Sequence, residues 1–350
     1  MPDLGNAYVN IVPKAPGIEG KIEGLFSGGG SGAERAGLSL GKKLLGGIAA
    51  LGIGAAIGET IKSAFDAGGA LEQSFGGLET IHGDAAAAAK NYAMAAAEAG
   101  INANVAMASY RFIDQNEEFD FETDEQCAEL QRVVEKWHGH DEGRIRIDAG
   151  IYAEYTSNHR LWDGLLGYAS EKNLGLQLHL SQTKAEADSC LDRTGLTPAE
   201  LLDCHRLFSL PTTAAGCGCL SDEDKALLGK RKISAVALPM SAAKAGENSL
   251  DILGCVKAGM NVTLGTDGAV EAGNLDLFEV MRFAALKART VSGDAAALPA
   301  PAALMMATVC GARAQGRATE CGMLKEGMDA DIALVDFSAP HLMPCHNVLS

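Results

Sequence analysis

The sequence has no excess of basic residues: 29 Lys and Arg stand against 45 Asp and Glu, for a formal charge of −16. Such a field repels phosphate backbones and anionic lipid surfaces, so no nucleic-acid partner is expected. The first ten residues carry neither a basic stretch nor an apolar run of the secretory kind. Nine cysteines include one Cys-x-Cys pair, Cys217 and Cys219, but no repeated Cys-x-x-Cys. This pattern fits neither a disulfide framework nor a structural zinc motif, and a reducing, cytoplasmic location is expected. The longest apolar run, Leu44 to Gly58, is shorter than the ~18–20 residues that span a bilayer. It reads as a Gly/Ala-rich packing helix rather than a membrane contact.

What is present changes along the chain. Hydrophobic residues make up 47% of 350, enough for a substantial core and for two or three units. Residues 1–99 hold the breakers Pro13, Pro16 and Gly17, a flexible SGGGSG run at Ser27–Gly32, and then helix-forming Ala/Gly-rich sequence such as Asp84–Ala99. The lone His82 in this part reads as a surface residue.

From about residue 110, strands and helices alternate. Arg144–Tyr152, Leu174–Leu180, Thr212–Leu220, Ile233–Pro239 and Asn261–Gly265 read as strands. His159–Lys172, Ser221–Lys230 and Ser249–Gly259 read between them as helices, Ser221 capping the second with Asp224 three positions on. Repeated βα units imply a parallel sheet, open or closed into a barrel, with chemistry at the C-terminal strand ends. His179, Asp267 and the Gly216–Cys219 segment fall at such ends. Taken singly, His179 is an ordinary core histidine and Asp267 a turn aspartate. Together they read as part of a metal site whose aspartate also takes a proton from bound water.

Seven segments occur in one order: Ala153–Ser157 (AEYTS), His179–Thr183 (HLSQT), Leu220–Asp224 (LSDED), Leu264–Gly268 (LGTDG), Asn274–Phe278 (NLDLF), Ala307–Ala314 (ATVCGARA) and Gly327–Asp336 (GMDADIALVD). In these the chain from about 110 to 350 resembles the metal-dependent amidohydrolase superfamily, in the branch of S-adenosylhomocysteine/methylthioadenosine deaminases and triazine chlorohydrolases. The resemblance implies a TIM-type barrel with a small β-sandwich, a small-molecule substrate of adenosine or triazine type, and a divalent metal, zinc or iron. In that family the metal is held by a His-x-His pair on the first strand, a His on the fifth, a His on the sixth and an Asp on the eighth.

Carried onto this chain, the resemblance makes His179 and Asp267 metal ligands, with Asp267 also catalytic. Gln182 stands where the family has its proton-shuttling glutamate, and an amide cannot cycle a proton. Tyr152 stands at a substrate-contacting histidine position, and Ala237-Leu238-Pro239 replaces His-Asn-Pro on the seventh strand. Gly216 replaces the sixth-strand histidine. Strand alternation points Cys217 and Cys219 away from that position unless the register slips. No His-x-His precedes residue 100, and His138-Gly139-His140 falls in the wrong order.

Gly69–Gly83 followed by Asp84–Ala99 resembles the beginning of a phage tail tape-measure protein. Ala95–Ser109 suits either a helix turn or a barrel strand. The expected organisation is therefore α/β: a Gly/Ala-rich helical segment over 1–99, an incomplete TIM-type barrel over 100–318, and a β-sandwich remnant over 319–350. Five strands are expected side by side, with an open edge that invites homo-oligomer formation, and Asp331–Val335 in a small sheet. The expected function is that of a C–N hydrolase relative whose catalytic centre is impaired or inactive, a pseudoenzyme or chimera. The alternative is a tape-measure-like structural protein fused to an amidohydrolase fragment.

Overall fold

A computed structural model describes residues 85–109, 113–333 and 335. Most of the 1–99 segment, the apolar run 44–58 and the chain beyond 335 lie outside the described residues.

Alanine-rich sequence without a breaker forms α1 (Ala85–Ala99) and ends at Gly100, whose φ of +68° suits a residue without a Cβ. Ala89, Ala93 and Ala96 are buried, three on one helical face, so α1 packs closely. The next residues form a strand, β1 (Ala103–Ser109). Ala95–Ser109 is thus helix turn first and sheet strand after.

Then come α2 (Glu125–Trp137), β2 (Ile145–Ile151), α3 (His159–Lys172), β3 (Leu176–Leu180), α4 (Lys184–Thr194), α5 (Pro198–Cys204) and β4 (Thr212–Gly216). They are followed by α6 (Asp222–Lys230), β5 (Ser234–Ala237), α7 (Pro239–Ala245), α8 (Ile252–Lys257) and β6 (Asn261–Leu264). Short α9 (Ala269–Ala272), long α10 (Leu277–Ser292), α11 (Ala300–Ala307) and α12 (Val309–Ala314) complete the order. Side-chain caps set several helix starts: Asp124 accepts from the amides of Gln126 and Cys127, and Asn158 from those of Arg160 and Leu161. At α6 the expected capping box is present, Ser221 Oγ accepting from Asp224 N and Asp224 Oδ2 from Ser221 N, both at 3.0 Å.

All strand pairings are parallel and the order is β1-β2-β3-β4-β5-β6. The five expected strands lie side by side, with β1 added at one edge. Among the described residues β1 and β6 are not paired with each other. Register divides the two faces by period two. Leu176, Leu178, Leu180, Ala214, Ala235, Ala237, Val262 and Leu264 are buried on one face. The other face aligns Gln177 with Thr213, Ser234 and Asn261, and His179 with Ala215, Val236 and Thr263.

The chain from α11 to Arg317 runs across the N-terminal ends of the strands. Thr263 Oγ1 donates to Met306 O, Asn261 Nδ2 to Cys310 O, Thr213 Oγ1 to Ala314 O and Asn104 Nδ2 to Gln315 O. Arg317, 1% exposed, completes the strap by donating to Asn104 Oδ1 and to the carbonyls of Ala103, Gly143 and Arg144. One connected segment therefore touches β1, β4 and β6, and the sheet curls around it.

Two expectations change. The strand expected over Thr212–Leu220 stops at Gly216, because Gly216 (φ +83°) and Cys217 (φ +54°) turn the backbone into the left-handed region. At the chain end, 319–333 contain no strand. Asp331 is instead held by Asn102, whose Nδ2 donates to its Oδ2 at 2.8 Å. The rest of the expected sandwich remnant lies outside the described residues.

Candidate functional site

The C-terminal ends of β2, β3, β4 and β6 bring together Tyr152, His179, Gln182, Gly216 and Asp267. The Tyr152 ring, on a residue 43% exposed, lies 5.3 Å from the His179 ring at a 45° tilt. His179 N donates to Tyr152 O at 2.9 Å, fixing the two strand ends together. Burial pushes the His179 imidazole below its ordinary value, against the opposing pull of the Asp267 charge and a hydrogen bond to the Tyr152 backbone. The neutral imidazole is thereby favoured, and Asp267 is the charge that His179 senses.

Asp267 sits in the turn after β6 with φ +65°. Both carboxylate oxygens are engaged: Ser241 Oγ donates to Oδ2 at 2.6 Å, and Gly268 N to Oδ1 at 3.0 Å. Ser241 comes from α7. It is a functional neighbour that sequence reading missed, since no local pattern links positions 26 residues apart.

Gln182 and Gly216 face each other across β3 and β4. A Cβ placed on Gly216 would lie 3.1 Å from both Cβ and Cγ of Gln182. A cleft beside them is lined by Gln182, Gly216, Leu238, Ser241, Glu247 and Asn248. Cys217 points elsewhere, with its Sγ near Ala214 O at 3.6 Å, and burial raises its thiol well above the ordinary value. Cys219 Sγ lies against Asn248 Nδ2 and Gln182 O. Neither cysteine takes the place of a histidine at 216.

Glu186 holds the turn that carries Gln182. It is 7% exposed and accepts from Ser181 N at 2.9 Å and Gln182 N at 2.8 Å. Burial raises its carboxyl, partly offset by these backbone donors. The Thr183-x-x-Glu186 spacing is a helix-start signature that could have marked it, although the carboxylate here reaches past Thr183 to the two residues before it. Nearby, Glu154 is 1% exposed and bonded through both oxygens to Arg193 Nη2, at 2.9 and 2.8 Å.

The Amidohydrolase family model matches residues 47–348. The chain belongs to the amidohydrolase family. The match starts at residue 47, upstream of residue 100, where the barrel was expected to begin. The 5-methylthioadenosine/S-adenosylhomocysteine deaminase of Thermoanaerobacter pseudethanolicus is 37% identical over 235 residues, covering 67% of this chain and 54% of that protein. The 5'-deoxyadenosine deaminase of Methanosarcina acetivorans is 38% identical over 222 residues, covering 63% of this chain and 51% of that protein. The chain spans about half the length of the curated relatives it matches.

Among solved structures, an adenosine deaminase from Xanthomonas campestris with bound zinc matches with a TM-score of 0.68 and 28% identity, covering 75% of this chain and 58% of that one. The zinc complex of atrazine chlorohydrolase from Arthrobacter aurescens matches at 0.62 and 21% identity, covering 73% and 60%. At that identity the likeness concerns the fold.

The family thus implies a zinc-type metal, and the donors among the described residues do not fit it. His179 and Asp267 are two donors, whereas a catalytic zinc takes at least three from protein. Among the described residues no group of three or more His, Cys, Asp or Glu could hold an ion. Asp267 has both oxygens engaged by neighbours, and Gly216 offers no side chain. No helix of the described residues is long and apolar enough to cross a membrane.

Proposed function

We propose that this chain is an amidohydrolase-family protein descended from hydrolases of C–N bonds in adenosine-type small molecules, and that its own catalytic centre is not assembled. Deaminase relatives at 37–38% identity support the substrate class. The observation that carries the loss of activity is Gly216 at φ +83° with Gln182 packed 3.1 Å from where its Cβ would be. Two residues that would act on one reacting centre have been replaced together, and the backbone has settled into a conformation that histidine adopts only with strain. Gln182 can donate and accept hydrogen bonds but cannot shuttle a proton. What remains beside Gln182 and Gly216 is a small cleft that Leu238, Ser241, Glu247 and Asn248 also line.

The second reading, a tape-measure-like structural protein carrying an amidohydrolase fragment, draws on residues 1–99 alone, and the family match reaching back to residue 47 weighs against it.

The test is ammonia release from adenosine, 5-methylthioadenosine and S-adenosylhomocysteine by the full chain supplied with zinc, iron or manganese, alongside metal analysis after dialysis. The expected result is no release above background and less than one ion per chain. Turnover abolished by His179→Ala would overturn the reading and point to ligands from a neighbouring chain.

A further inference from the structure

Away from the strand ends, a cleft of about 310 Å³ opens between α10 and the segment Ser249–Leu253 that leads into α8. Its volume is at the lower end of the range for small-molecule sites, ~300–1,000 Å³. One wall is a single helical stripe, Ala284, Lys287, Ala288 and Val291, spaced three and four apart along α10. Val291 at its rim is 76% exposed.

Lys287 is the one cationic residue lining this cleft. Among the described residues it has no ion pair or hydrogen bond, and burial alone acts on its ammonium, lowering it from its ordinary value. The cleft's acid, Asp251, is already committed: Lys225 Nζ donates to its Oδ2 at 2.9 Å, and Gly254 N to its Oδ1 at 3.0 Å. An ammonium that is only partly buried and has no counter-charge can take an anionic ligand as its partner.

We propose that the cleft between α8 and α10 binds a small amphipathic carboxylate, its apolar body against Ala284, Ala288 and Val291 and its anionic head on Lys287. The apolar wall gives area without specificity, and the lysine selects an anion. The site is separate from the strand-end cleft and independent of whether the chain has any hydrolytic activity.

Calorimetric titration of the full chain with octanoate tests this, using 1-octanol and octylammonium as probes of the same length. Octanoate should bind saturably and more tightly than either. Lys287→Gln should weaken octanoate about tenfold, the size of one charge-assisted hydrogen bond, and leave octanol unchanged. Lys287→Arg should retain binding. Lys257→Gln, which removes the same charge at the end of α8, should have little effect. Ala288→Phe should block octanoate by filling the cleft, and serves if the Lys287 variant fails to fold. Equal affinity for octanoate and octanol, unchanged binding in Lys287→Gln, or no saturable binding would each overturn the proposal.

Discussion

Returning the family's sixth-strand histidine to position 216 should not rebuild a metal site; it should unfold the strand end. Gly216 has φ +83°, where a residue with a Cβ costs ~1–2 kcal/mol relative to glycine. The new Cβ would stand 3.1 Å from Cβ and Cγ of Gln182, inside the ~3.5–4.0 Å optimum for carbon pairs. Gln182 cannot simply retreat, because Glu186 fixes its amide at 2.8 Å. Overpacking of this kind costs ~1–3 kcal/mol. Gly216→His should therefore lose about 2–5 kcal/mol in urea denaturation followed by circular dichroism. Gly216→Ala should lose most of the same amount, since backbone and Cβ, rather than the imidazole, cause the strain. Zinc should not restore the midpoint of the histidine variant, because an ion stabilises only a native state that binds it. The double variant Gln182→Glu, Gly216→His should still release no ammonia from adenosine. A histidine variant as stable as the parent, or one stabilised by zinc while the parent is not, would refute this reasoning.

Arg317 should be the most sensitive surface-distant residue of the strap: Arg317→Ala removes a donor from the carbonyls of Ala103, Gly143 and Arg144 in a site 1% exposed, Arg144 O keeping its bond from Ala103 N, for a loss of ~2–4 kcal/mol measured by urea denaturation. Arg146→Ala, which breaks the more exposed pair with Glu320, should cost under ~1 kcal/mol in the same assay. Asp251 offers a pH test. Lys225 holds its carboxyl below the ordinary range, so its stabilisation is full at neutral pH and is lost as pH falls through that range. The stability difference between the parent and Asp251→Asn should be below ~1 kcal/mol at pH 7, since the carboxylate is half exposed, and should shrink as the pH falls below the ordinary Asp value of ~3.9.

The five strands from β2 to β6 and the helices α3, α6 and α8 were legible because their signals are local, whereas α4, α5 and α7 were not read. Period-two apolar residues mark Leu176–Leu180, and the Ser221-x-x-Asp224 pair marks the start of α6 within four residues of chain. The family segments likewise placed His179, Gln182 and Asp267 at strand ends, which is where they stand. Sequence alone determined that position 216 carries no imidazole, because that statement needs only the residue's identity. That a side chain at 216 would meet strain was decided by tertiary structure, through a left-handed backbone at Gly216 and the approach of Gln182 from the turn after β3. Ser241 on Asp267, the Arg317 strap across β1, and the cleft around Lys287 were decided in the same way. Each joins positions with no shared periodicity or spacing, brought together by strand order and helix packing, and a one-dimensional pattern holds no trace of such a contact.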